Sequence, residues 1–106
     1  MEILESVHDE WYCMTVKDRL DTVTAPTMEE AGLKALTAHQ KLALDFSQLA
    51  YISSAGLRVL LILGKKAKAD NRAFVLCGLR GMVKEVLEES GLDAFFASYD
   101  NITDLP

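Results

Sequence analysis

A chain that runs from a β-type apolar segment almost directly into an apolar helix must bury both against a common core. The segment Lys41–Leu63, KLALDFSQLAYISSAGLRVLLIL, does this. Leu42, Ala43, Leu44 and Phe46 form an apolar run with no Pro or Gly, which reads as a buried strand. The changeover to helix falls at Tyr51-Ile52-Ser53-Ser54-Ala55-Gly56-Leu57. Two serines ahead of a helix-period apolar run are an N-cap signal, because a serine oxygen accepts an orphan backbone N–H of the first turn. That end of a helix also carries partial positive charge and accommodates an anion such as a phosphate. A hydroxyl at this point is either a cap or a switch.

The remaining elements alternate around this segment. Glu2–His8 alternates loosely with Ile3 and Val7 apolar, Asp9-Glu10 reads as a turn, and Trp11–Val16 (WYCMTV) is aromatic and β-branched. These features predict an N-terminal hairpin. Thr27–Ala38 reads as an amphipathic helix starting close to Pro26, a residue suited to a first turn, with Met28, Ala31, Ala35 and Leu36 near one face and Glu29 and Glu30 in the first turn. The bases of Lys65–Asn71 close the central helix. Ala73–Cys77 (AFVLC) is a further buried-type strand, and Gly78–Gly81 reads as a turn. Met82, Val83, Val86 and Leu87 mark a helix stopped by Gly91, a last short strand falls around Phe95–Ser98, and Asp100–Pro106 has room for a turn of helix at most. The alternation predicts an α/β fold in one domain over residues 1–106: a mostly parallel or mixed central sheet of about five strands, flanked by helices.

Charge and motif content narrow the function. Sixteen acidic against eleven basic side chains give a formal charge of −5, which argues against a nucleic-acid or anionic-membrane surface. The N-terminus lacks the basic flank and apolar stretch of a signal peptide, and the apolar run Val59–Leu63 is far short of a membrane span. A cytoplasmic location is the expectation. Cys13 and Cys77 each lie in a strand-like segment, where buried free thiols are expected and a disulfide between them stays open. No His or Cys neighbours stand at metal-ligand spacing, so neither a metal nor a cofactor is expected, and His8 and His39 are expected at the surface. Gly64-Lys65 lacks the upstream glycine of a P-loop, and Gly78-Leu79-Arg80-Gly81 matches a nucleic-acid-clamping GxxG loop only in an otherwise acidic setting. With no Ser-His-Asp order, paired catalytic carboxylates or HExxH, the chain is not expected to be an enzyme.

Asp45-Phe46, a short polar linker and then YISSAGLRVLL resembles the signature of the STAS domain as found in bacterial anti-sigma factor antagonists, and the likeness runs from about Trp11 to Phe96. It implies a STAS-type sandwich. It also implies that Ser54, two residues before Gly56, is the serine phosphorylated by a partner kinase, with Ser53 as the alternative acceptor. Ser53 stands at the family's aspartate and Ala55 at its second hydroxyl residue. Upstream, Lys17–Pro26 resembles the family's Gly-x-Leu-Asp segment; Asp18 stands where glycine is usual, so the backbone is expected to be less free to bend there. Asp21 falls on the family's aspartate beside the phosphoacceptor; a loop or capping carboxylate is the other reading. The family's usual C-terminal helix has no counterpart in the short tail.

Residues about 100° apart around the central helix put Leu57, Leu60, Leu63, Gly64 and Ala67 on one arc, expected to face the sheet. Arg58 and Lys65 fall opposite, and Val59, Leu61 and Ile62 lie outside the core arc. Neighbouring helices could cover these apolar residues; otherwise they form a docking face rimmed by Arg58 and Lys65. The expected partner-binding set is Asp21, Thr22, Ser53, Ser54, Gly56, Arg58, Val59, Ile62 and Lys65. By resemblance the partner is a GHKL-type serine kinase/anti-sigma factor, with a PP2C-type phosphatase as a further candidate. In that reading the unphosphorylated chain binds the kinase and frees its client, and phosphorylation of Ser54 ends binding. The alternative is a STAS binding or scaffold module that is never phosphorylated.

Overall fold

The computed structural model describes residues 1–106. Its elements are β1 (Glu2–His8), β2 (Trp11–Leu20), α1 (Ala25–Ala38), β3 (Lys41–Asp45), β4 (Leu49–Ile52), α2 (Ser54–Ala69), β5 (Ala73–Cys77), α3 (Gly81–Glu89) and β6 (Ala97–Tyr99). Two 3-10 turns, Leu92–Phe95 and Ile102–Asp104, flank β6. The sheet has six strands in the order β1-β2-β3-β5-β6, with β4 paired to β2 off this path. The hairpin β1–β2 is antiparallel and every other pairing is parallel.

The expected alternation is present, with one strand more than the sequence predicted. The linker before the serines contains β4, and β2 runs four residues past Val16 to Leu20 to meet it. Asp18 aligns with Leu49, Arg19 with Tyr51 and Leu20 with Ile52, with a register shift between Asp18 and Arg19. Asp18 makes that shift by adopting φ +73°, a left-handed conformation that costs a side-chain-bearing residue energy and that Asp tolerates better than most. The expectation that Asp in place of glycine would restrict bending here is therefore corrected. The backbone bends regardless, at a conformational cost.

Alternation within the strands assigns the two faces. Met14, Val16, Leu42, Leu44 and Leu76 join α1, α2 and α3 in the main core. Trp11, Cys13, Ala43, Val75 and Cys77 point the other way and pack with Leu105 of the C-terminal segment. All three helices thus lie on one face, and the last residues of the chain cover part of the other. Both cysteines are free and buried. They sit on β2 and β5 with β3 between them, and Cys13 aligns with Ala43 whereas Cys77 aligns with Asp45. Two strand spacings make about 9–10 Å, beyond the roughly 7 Å a disulfide can span. An internal disulfide is excluded in this fold.

Helix α1 begins at Ala25, with Pro26 in its first turn, so Glu29 and Glu30 fall beyond that turn rather than in it. Gly32 lets α1 and α2 touch closely, since a Cβ there would stand 2.6 Å from Leu63 Cδ1. This contact widens the buried arc of α2. Val59, placed outside the core by the sheet-facing arc alone, is 2% exposed, because α1 covers it. Leu57, expected to be buried, is only half-buried.

Candidate functional site

The head of α2 separates the roles of the two serines. Ser53 is the N-cap, with extended backbone (φ −101°, ψ 176°), and its Oγ accepts the Gly56 N–H at 3.4 Å. Its own N–H donates to the Leu20 carbonyl at 2.9 Å, which ties the helix start to the end of β2. Ser54 is the first helical residue, and its side chain is exposed with no hydrogen-bond partner in the fold. First-turn N–H groups have no acceptor four residues back, so the free hydroxyl lies beside open donors at the positive end of the helix. Gly56 is buried. A Cβ there would approach the Leu20 carbonyl oxygen to 2.8 Å and Ile52 Cγ1 to 2.7 Å. Its lack of a side chain seats α2 against β2 and β4, and it presents no surface for a partner.

Leu20 leads directly into the β2–α1 loop, which places Asp21 beside the α2 head. The Asp21 carboxylate accepts the N–H groups of Val23 at 3.0 Å and Thr24 at 3.1 Å. The Thr24 hydroxyl in turn accepts the Asp21 N–H at 2.9 Å and donates to the Arg19 carbonyl at 3.0 Å. Hydrogen bonds from Thr24, foremost its backbone N–H, with others from Val23 and Arg19, hold the Asp21 carboxyl below its ordinary 3.8. The carboxylate therefore organises the loop into α1, which is the capping reading. Arg19 reaches Asp21 Oδ2 at 3.4 Å and lies 4.1 Å from the Tyr51 ring centre, so it spans the β2–β4 pair above this loop.

Thr22 is exposed, and Val23 at the loop tip is 85% exposed. Beyond the tip a groove of about 530 Å³ runs between α1 and α2, lined by Thr22, Pro26, Leu33, Ala55 and Arg58 among others, with Val59 at its floor. Along α2, Ser54, Arg58, Ile62 and Lys65 follow one another at spacings of four, four and three and form one stripe. Arg58 and Lys65 are exposed and Ile62 is half-buried. Of the nine residues read from the sequence as partner-binding, all but the buried Gly56 and Val59 thus present surface on the β2–α1 loop, the α2 head or the α2 stripe. Arg19, Val23, Thr24 and Gly32 were missed. Asp21-x-x-Thr24 before Ala25-Pro26 is a capping pattern that could have marked Thr24. Nothing local could have marked Arg19, whose role depends on β4.

No group of His, Cys, Asp or Glu side chains is placed to hold a metal ion, and no helix is long and apolar enough to cross a membrane.

A mixed sheet layered on three helices, with a serine-headed helix emerging beside the β2–α1 loop, defines an α/β domain with its distinctive surface at one helix N-terminus. Residues 2–105 match the model of the STAS domain, and the chain belongs to that family. It is 44% identical over 57 residues to BtrV of Bordetella bronchiseptica, a candidate anti-sigma factor antagonist; the match takes in 54% of this chain and about half of BtrV (49%). An anti-sigma factor antagonist from Mycobacterium paratuberculosis superposes with a TM-score of 0.88 at 25% identity, covering 97% of this chain and 88% of that one. The Bacillus anti-sigma factor antagonist SpoIIAA shares the fold in its unphosphorylated form, with a TM-score of 0.73 at 15% identity over 97% of this chain and 91% of that one. Each of these relatives is an anti-sigma factor antagonist, or a candidate for one, and this chain shares their STAS fold.

Proposed function

We propose that this STAS domain is a partner-switching regulator controlled by phosphorylation of Ser54. Unphosphorylated, it binds a GHKL-type serine kinase that is also an anti-sigma factor and so releases the kinase's client. Phosphorylated, it lets go, and a PP2C-type phosphatase restores it. It works in the cytoplasm and carries out no chemistry itself, since phosphoryl transfer belongs to the partners. One observation carries this reading: Ser53 takes the capping bond, leaving the Ser54 hydroxyl exposed and unbonded at the helix head. That SpoIIAA has also been solved in a phosphorylated form supports it.

A phosphate adds about −1.5 to −2 charges at neutral pH. In the free chain these would meet open N–H groups and the helix dipole, and Arg58 lies one turn along the same stripe. Pressed against a partner fitted to a neutral hydroxyl, they would be repelled and poorly solvated, so modification acts on binding rather than on folding. A non-phosphorylated scaffold module is the second reading. Ser53 favours it, because the position of the family's aspartate is here a neutral hydroxyl already engaged as a cap. Incubation with the cognate kinase and ATP, followed by intact-mass and peptide mapping, separates the two. The switch predicts one phosphate on Ser54, none on Ser54→Ala, and poor kinase binding by a folded Ser54→Asp. Absence of phosphate on the wild type would establish the scaffold reading.

A further inference from the structure

The cysteine-bearing part of the sheet face opposite the helices is covered by a single short segment, and both thiols lie beneath it. Leu105 is 9% exposed and packs with Trp11, Cys13, Ala43, Val75 and Cys77, joined at the margin by Ile102. The segment is tied within itself: Asp104 N–H bonds the Asn101 carbonyl at 3.0 Å, Leu105 N–H bonds the Ile102 carbonyl at 3.1 Å, and Asn101 N–H bonds the Asp104 carboxylate at 3.2 Å. Its hydrogen bond to the sheet runs from Trp11 Nε1 to the Pro106 carbonyl at 3.0 Å. No strand of the sheet ends in this segment, so lifting it breaks no ladder hydrogen bond. A unit held by one side-chain hydrogen bond and two apolar side chains belongs to the low-stability end of a fold and opens separately from it.

We propose that Asn101–Pro106 is a strap that opens while the sheet and helices stay folded, and that it gates Cys13 and Cys77 as modification sites for thiol-reactive electrophiles. The strap acts in two ways. It removes access, and through burial with the charges of Asp45, Cys13 and Asp104 it keeps the Cys77 thiol pushed up to about 12. Burial and Asp45 raise the Cys13 thiol as well. Opening admits water and withdraws Asp104, which increases the thiolate fraction. With an aromatic disulfide reagent, the thiol loses its proton to water, its sulfur bonds one reagent sulfur, the reagent S–S bond breaks, and the other half leaves as thiolate.

The test uses the full chain and dithiodipyridine, with labelling rates followed at low urea and the sites mapped by mass. In the wild type, Cys13 and Cys77 should be labelled through an opening with a much shallower urea dependence than global unfolding. Leu105→Ala should speed labelling about tenfold or more while the global urea midpoint changes little, because the lost apolar contact holds only the opening step. The proposal is overturned if wild-type labelling follows the full urea slope of global unfolding. It is also overturned if Leu105→Ala changes the labelling rate only in proportion to global stability. The wild-type slope decides the question even if the variant folds poorly.

Discussion

Exchanging the two serines for alanine one at a time tests the division of labour at the head of α2. Ser53→Ala removes the acceptor of the Gly56 N–H, and loss of an N-cap of this kind costs about 0.5–2 kcal/mol. The bond is long, 3.4 Å, so the lower part of that range applies, about 0.5–1 kcal/mol. At roughly 4 °C per kcal/mol for a domain of this size, the melting temperature should fall by about 2–4 °C. Ser54→Ala removes an exposed hydroxyl with no partner and introduces the best helix former, so the expected change is within about 0.5 kcal/mol of zero. Ser53→Asp, which restores the family's carboxylate, keeps a capping oxygen and adds a charge favourable to the helix dipole, so it should retain or slightly raise stability. Urea denaturation monitored by far-UV circular dichroism, with the slope checked for constancy, measures all three. The two alanine variants should then diverge in function: Ser53→Ala should still take a phosphate at Ser54, and Ser54→Ala should take none. A larger stability loss in Ser54→Ala than in Ser53→Ala would refute the assignment of the cap and the argument for a free Ser54.

Other expectations come from the loop and the stripe. Asp18→Gly should stabilise the domain by about 0.5–1 kcal/mol in urea melts, because glycine adopts the +73° φ without a Cβ penalty that exceeds its extra unfolded-state freedom. The Asp21 carboxyl is held below its ordinary 3.8, so its contribution to folding is fully present above that pH and is lost as pH falls through the lower folded value. Asp21→Asn should therefore be less stable at pH 7 and should approach wild type as pH falls below 3.8 and through the lower folded value, as read from stability–pH curves. Arg58→Glu and Ile62→Asp should weaken binding of the cognate kinase by about tenfold or more without lowering the melting temperature appreciably, as followed by calorimetry. Unchanged affinity in both variants would remove the α2 stripe from the interface.

The sequence by itself determined what depends on neighbours along the chain. The period of the apolar residues separated strands from helices, the hairpin followed from Asp9-Glu10 between two apolar runs, and Ser-Ser before an apolar helix located the start of α2 to within a residue. The apolar, strand-like segments around Cys13 and Cys77 already pointed to buried free thiols. What the tertiary structure decided is what depends on pairing across the chain. Leu49–Ile52 is too short to declare itself a strand and becomes one only because β2 extends to receive it. Val59 could not be assigned from the helix period, since its burial comes from α1 and from the close approach that Gly32 permits. Which serine caps was open, because either oxygen could reach a first-turn N–H, until the bond from Ser53 N–H to the Leu20 carbonyl fixed where the helix begins. The closing of the second sheet face by Leu105 had no signal at all in the sequence. A few apolar residues after the last strand carry no period, and only the stripe of Trp11, Ala43 and Val75 on three separate strands gives them something to cover.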